Sequence, residues 1–434
     1  MKFEPRPYQA DLILKVAKAY QDGARSVVML CPTGSGKTHI ASHIIERSVA
    51  KENKVVFAAH LDNLMDDTSS RLTAAGISHG IVQGDRPSNP ERPVQVCSLA
   101  TLHRRGYAPP ADFVIIDECH HAASDSVRGV IERYPKAKLM GLTATCQRAD
   151  GKPLGDVFDV LVQGPTPADL LKLGHLVPCE VIAPMPTKPG TIAMDPVEAW
   201  RTFGHPGARA IFFCSTLEEV DAIVRQMPVA TAPFTGNETG SVRRDVVAAF
   251  RAGEVSALVG CTAFAEGFNA PPIDLIISAR AMSTTTAWLQ ACGRGLRPSP
   301  ETGKTKCRVI DLVGAVFLHG LPYDERIWSI DGPPVRTGAA LTAIMRCKEC
   351  LAVFHVATVC PRCGASTRGL ERKKRLARVE QAEFRRIDTM PPEMRDAIAL
   401  RGIEKRLRQS GRFSEEKIRH VAAFLLKKAR NKRA

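Results

Sequence analysis

An apolar run of strand length, Ser26–Leu30 (SVVML), leads directly into Cys31-Pro-Thr-Gly-Ser-Gly-Lys-Thr38, and a helical pattern over Thr38–Ala50 follows without a break. Strand, glycine-rich loop and helix in that order restrict the chain to an α/β fold with a phosphate-binding loop at the end of a strand. Gly34 and Gly36 let the backbone turn tightly and aim N–H groups inward, with Thr33 and Ser35 in the same loop. The helix N-terminus adds partial positive charge for an anion. Lys37 is placed to reach terminal phosphates, and the Thr38 hydroxyl to coordinate Mg²⁺. Cys31 stands where the strict pattern has glycine; the half of the loop that carries the chemistry is intact.

The same rhythm continues on both sides of the loop. Lys54–Ala59, Val94–Ser98 and Phe113–Ile116 are further short runs rich in β-branched residues, and Leu61–Ala75 alternates with them as a helix. Continuously apolar strands of this kind belong to a parallel sheet covered on both faces. Five prolines between Pro178 and Pro196 interrupt the pattern and read as a linker. It then restarts with Ala210–Cys214, Ala257–Gly260, Leu275–Ser278 and Val309–Val313. The expected architecture is two tandem α/β lobes, 1–182 and 183–335, then a small cysteine module at 340–368 and a basic helical tail at 369–434.

Asp117 and Glu118 follow the Phe113–Ile116 run, at the carboxyl edge of a parallel sheet where ligands bind. Asp117 is suited to hold Mg²⁺ through water. Glu118 is suited to orient and deprotonate an attacking water.

With these residues in place the chain resembles the superfamily 2 DExH helicases, in which two RecA-like lobes share one ATP. Pro5–Gln9 resembles the Q motif, with Gln9 offering a two-point amide to adenine, and Gly141–Thr145 (GLTAT) resembles motif III. Cys261–Pro272 resembles motif V and includes Gly267; Gln290–Arg297 (QACGRGLR) resembles motif VI. The resemblance implies that Arg294 and Arg297 face the γ-phosphate from the second lobe, Arg297 as the arginine finger, with Gln290 near the attacking water. Gly141–Asp159, His319-Gly320, Trp328, Asp331-Gly332 and the trailing cysteine pairs are similar to the RadD-type DNA-repair helicases. The chain departs from the usual pattern at Leu61, Ala100, Cys146, Pro153 and Asn269, none of them a catalytic position.

Cys347-x₂-Cys350 and Cys360-x₂-Cys363-Gly have the spacing of two facing zinc knuckles, with the short apolar stretch Leu351–Val359 between them as a hairpin. Four cysteines close such a site, so His355 is not expected to be a ligand. The module either grips nucleic acid or staples a segment with too little core of its own.

Of the formal net charge of +15, the segment 371–434 carries +11, with 20 Lys/Arg against 9 Asp/Glu. Such a tail suits a polyanionic backbone, and Ser414–Arg430 has one apolar and one basic helical face, fit either to pack on the second lobe or to touch phosphates. No apolar run approaches a membrane span, and Met1–Tyr20 lacks a signal peptide's apolar stretch, so a cytoplasmic protein is expected. The cofactors implied are ATP, Mg²⁺ and Zn²⁺, and the partner is nucleic acid, DNA more than RNA. Two other readings stay open on these residues: an RNA helicase, and a zinc-anchored adaptor that uses ATP only as a conformational clamp.

Overall fold

The computed structural model describes residues 4–367 except 61, 85–88, 107, 122–124, 148–152, 186–190, 237, 239, 262–263, 265–269, 333 and 338–342. The tail from 369 onward and the motif V residue Gly267 therefore lie outside the described residues. The chain forms two compact units, Met1–Ala365 and Ser366–Ala434, and all that follows concerns the first.

The first sheet is built from β1 (Ser26–Leu30), β2 (Val55–Ala59), β3 (His79–Val82), β4 (Val94–Ser98), β5 (Phe113–Ile116), β6 (Lys138–Thr143) and β7 (Val160–Gln163). All its pairings are parallel, in the order β3-β4-β2-β5-β6-β1-β7. Every residue of β1, β2, β4 and β5 is buried, because helices cover both faces. One face packs Leu12, Ile40, Ile45, Phe57 and Met140; the other packs Val28, Val56, Val114, Leu139 and Phe158.

The second sheet contains β8 (Cys179–Ile182), β9 (Ala210–Phe213), β10 (Thr231–Pro233), β11 (Ala257–Gly260), β12 (Leu275–Ser278) and β13 (Cys307–Asp311). A small hairpin follows, β14 (Arg326–Ile327) with β15 (Val335–Arg336), and then β16 (Ile344–Arg346) and β17 (Ala352–His355). The order of the second sheet is β10-β11-β9-β12-β13-β8-β17-β16.

Three boundaries differ from the sequence reading. Cys179–Ile182 pairs in parallel with β13, so the chain enters the second lobe before residue 182 rather than after it. The proline-flanked run that reads as linker thus contributes a strand. The cysteine module is not a separate body: β17 pairs antiparallel with β8, through Ala352↔Ile182 and Val353↔Val181, and extends the second sheet. The hairpin also lies elsewhere than expected, since β16 and β17 flank the first knuckle instead of filling the stretch between the knuckles. Backbone pairing to an existing sheet edge satisfies donors and acceptors that a hairpin of this size cannot satisfy alone. No helix among the described residues is long and apolar enough to cross a membrane.

A composite nucleotide site between two lobes

The strand order explains the site. Since β6 lies between β5 and β1, the Asp117-Glu118 turn, the Gly141–Thr145 segment and the phosphate loop stand side by side at one sheet edge. Gly34 and Gly36 have φ of 91° and 83°, in the left-handed region, which is the conformation the loop needs and which other residues resist. Gly36 caps the helix Lys37–Val49, and the Lys37 ammonium donates across the loop to the Cys31 carbonyl at 3.5 Å. Thr38 is half-buried in the first turn of that helix.

Gln9 is buried against the loop. Its Nε2 donates to the Ser35 carbonyl at 3.0 Å, where the Tyr8 hydroxyl also donates at 2.7 Å, and its Oε1 accepts from the Arg6 N–H at 3.0 Å. One donor and one acceptor position of the amide are thereby used, leaving one of each for a base edge. A Cβ on Gly36 would stand 2.7 Å from Gln9 Nε2, so the close fit depends on glycine.

Asp117 and Glu118 are both buried, and the Asp117 carboxylate accepts the Glu118 N–H at 3.0 Å. Glu118 has φ of 47°, an uncommon conformation for a non-glycine residue and one that concentrates at functional sites. Its Oε2 makes no hydrogen bond among the described residues, and His120 Nδ1 stands 3.4 Å away. His120 in turn meets the Thr143 hydroxyl at 3.0 Å; Thr143 Oγ1 donates to the Thr145 carbonyl at 2.8 Å and accepts the Thr145 N–H at 3.1 Å. This chain links the carboxylate to the segment after β6. His120 has no assigned role in the sequence reading, although its place two residues after Glu118 is the signal that could have found it.

The second lobe closes on the loop. A Cβ on Gly293 would stand 2.7 Å from Thr33 Cβ, and one on Gly34 would stand 3.6 Å from Arg297 Cγ. Arg297 thus lies along the phosphate loop from across the cleft; Arg294 is buried close enough to act on its charge, and Gln290 is buried in the same helix-to-loop segment. Burial, with the Arg294 charge adding to it, pulls the Arg297 guanidinium down to about 9, which leaves it cationic at neutral pH. Asp67, which acts in the opposite sense, and Arg71 approach it from the first lobe. Those two pair at 3.0 Å, and Arg71 also meets His39.

Of the segments read as similar to RadD-type helicases, two meet across the lobes, around Gly155 and around Trp328, and His319-Gly320 packs within the second lobe. The Trp288 indole, fully buried in the Thr285–Gly293 helix, donates to the Gly320 carbonyl at 3.0 Å, and His319 Nε2 meets the Met282 carbonyl at 2.7 Å. Gly155 donates to the Ile330 carbonyl at 2.9 Å, and Trp328 packs on the first lobe. The Thr286 hydroxyl donates to the Gln147 carbonyl at 3.1 Å.

The four cysteine sulfurs, Cys347, Cys350, Cys360 and Cys363, lie within 4.8 Å of one another, with Cys347–Cys363 and Cys350–Cys360 at 3.6 Å. Thiolates about 2.3 Å from a tetrahedral zinc stand about 3.8 Å apart, so the four fit that ion. His355 is not among them: its Nε2 meets the buried Asp324 carboxylate at 2.8 Å. Arg362, between the last two cysteines, pairs with Glu180 of β8 at 3.0 Å. The expected measurement is one zinc per chain by metal analysis. Because the hairpin is part of the second sheet, Cys360→Ser should lose the metal and lower the melting temperature by roughly 5–10 °C, with ATP binding at Lys37 retained. A wild-type protein without zinc, or a variant that melts unchanged, would contradict this.

The family model for the type III restriction enzyme res subunit matches residues 2–148, and that for the helicase conserved C-terminal domain matches 197–299. The chain is 26% identical over 361 residues to the protein named as the mitochondrial ATP-dependent helicase irc3 of Schizosaccharomyces pombe, covering 74% of this chain and 59% of that one. It covers 51% of the corresponding protein of Saccharomyces cerevisiae, so it spans about half to three fifths of the length of these relatives. A DNA 3'-5' translocase of Sulfurisphaera tokodaii is 29% identical over 162 residues, 37% of this chain and 35% of its own. The crystal structure of the DUF1998 helicase MrfA bound to DNA shares the fold, with a TM-score of 0.54 at 17% identity, over 70% of this chain and 46% of that one.

Proposed function

We propose, for a chain that belongs to the superfamily 2 DExH helicases, a motor that couples ATP hydrolysis to the unwinding or remodelling of DNA in repair or recombination. The observation that carries the reading is the composite site: Lys37, Asp117 and Glu118 belong to one lobe, and Arg297 reaches Gly34 from the other. Gln9 reads adenine with its remaining donor and acceptor. Thr33 to Lys37 hold the phosphates, and Thr38 with Asp117 hold Mg²⁺. Glu118 takes the proton of a water that Gln290 orients, while Arg294 and Arg297 meet the charge that spreads over the γ-phosphoryl oxygens. Gly267, which the resemblance assigns to the nucleotide, lies outside the described residues.

Since the cation comes from the second lobe, hydrolysis depends on closure, and a track that favours closure accelerates turnover. The buried His120–Thr143–Thr145 chain ties the carboxylate to the segment after β6, which resembles motif III. A relative named as a DNA 3'-5' translocase supports DNA as the track. The cysteine site holds zinc as a brace on the second sheet, and the protein works in the cytoplasm.

The test is steady-state ATP hydrolysis by the purified chain, alone and with single-stranded, duplex or forked DNA, or single-stranded RNA. DNA is expected to stimulate turnover, RNA much less, and Lys37→Ala to remove it. Stimulation by RNA alone would overturn the choice of track. Turnover that persists in Lys37→Ala would overturn the site itself.

A further inference from the structure

The segment that follows the arginine pair folds back on itself and is closed by a lysine. Ser299 and Lys304 form a β-bridge, and the Ser299 carbonyl accepts from the Thr302 and Lys304 N–H groups and from the Thr302 hydroxyl. The Lys304 ammonium then points inward. It donates to the Arg297 carbonyl at 2.7 Å, to the Pro271 carbonyl at 3.0 Å, and to the Ile273 carbonyl. An ammonium has three N–H donors, and three backbone carbonyls take all of them.

Such an arrangement is costly. Burial pulls Lys304 down to about 8; Asp274 favours its charge, and Arg297 opposes it. A lysine whose only task was solubility would point outward and keep its hydration. Here the charge is spent on three carbonyls from two separate stretches, 271–273 and Arg297. The one at Arg297 belongs to the residue whose side chain crosses to the phosphate loop.

We propose that Lys304 is the positioning residue for Arg297, fixing its backbone to the 271–273 turn so that the guanidinium arrives at the γ-phosphate in one orientation. The inference rests on the reading of Arg297 as the cation that stabilises the transferring phosphoryl group. Reactive geometry is sensitive to displacements of about 1 Å, which cost up to about 100-fold in rate. A side chain on a loosened loop loses rate without losing the ground-state nucleotide contacts that the first lobe makes.

The experiment is a double-mutant cycle with saturating DNA: wild type, Lys304→Met, Arg297→Ala and the double variant, with kcat, KM for ATP and melting temperature for each. Lys304→Met should lower kcat by about 10- to 100-fold with KM changed by no more than about threefold, and Lys304→Arg should restore part of the loss. In the Arg297→Ala background Lys304→Met should have almost no further effect on kcat, because its target is already gone. Equal losses in both backgrounds would show that Lys304 acts elsewhere, and an unchanged kcat in Lys304→Met would also overturn the proposal. If Lys304→Met does not fold, the same cycle with Lys304→Gln, which keeps two donors, gives the decision. Failure of the underlying reading looks different: Arg297→Ala itself would then turn over ATP normally.

Discussion

A Glu118→Gln protein should bind ATP as the wild type does and hydrolyse it about 10²–10⁴ times more slowly. The substitution keeps the size and shape of the side chain, so the buried turn at φ of 47° and the Asp117 carboxylate that accepts the residue 118 N–H are unaffected. What changes is chemical. A carboxylate oxygen that makes no hydrogen bond among the described residues is replaced by an amide, which cannot take a proton from water. His120, 3.4 Å from that oxygen, still has an amide to face, so its tie to Thr143 should survive. Equilibrium binding of ATP with Mg²⁺, measured beside DNA-stimulated turnover, separates the two effects. Turnover within a few-fold of wild type would remove Glu118 as the base and give weight to a protein that uses ATP as a clamp.

Local and distant information divided sharply in this chain. The phosphate loop and the Asp117-Glu118 pair were legible because each is a run of consecutive residues at the end of a strand, and β-branched runs such as SVVML and FVII mark those strands without reference to anything else. The cysteine site was legible for the same reason, since two CxxC turns carry their own geometry. Strand order is another matter. Nothing within Lys138–Thr143 says that it lies between β5 and β1, yet that placement brings Thr143 to His120 and so to Glu118. The start of the second lobe differs from the sequence reading because Cys179–Ile182, with Pro178 before it and Pro184 after it, has the composition of a linker. It becomes a strand only when β13 and β17 supply partners on either side, and a tertiary pairing of that sort overrides local propensity. Lys304 left no sequence signal, because its partners are backbone carbonyls that any residue could provide.

Arg297→Ala should lower kcat by about 10³-fold or more, with a much smaller change in ATP affinity. The stem of Arg297 runs along Gly34, and its head is a cation drawn down to about 9 by burial and by Arg294. Two guanidinium groups held close in a closed site concentrate positive potential there, and that potential stabilises the spreading negative charge of the transition state most. A ground-state phosphate already neutralised by Lys37 and Mg²⁺ gains less, so the loss belongs in kcat rather than in KM. Arg297→Lys should recover little, since a point charge on a flexible stem cannot reproduce a planar fork. The same variant bears on how the lobes and the track communicate. If closure matters because it delivers Arg297, DNA can still close the lobes of Arg297→Ala but brings no cation with them. The ratio of DNA-stimulated to basal hydrolysis should therefore collapse toward one. A variant that turns over slowly yet keeps the full stimulation ratio would show that the nucleic acid acts on the first lobe, through Thr143 and His120, and that closure is a consequence rather than the switch.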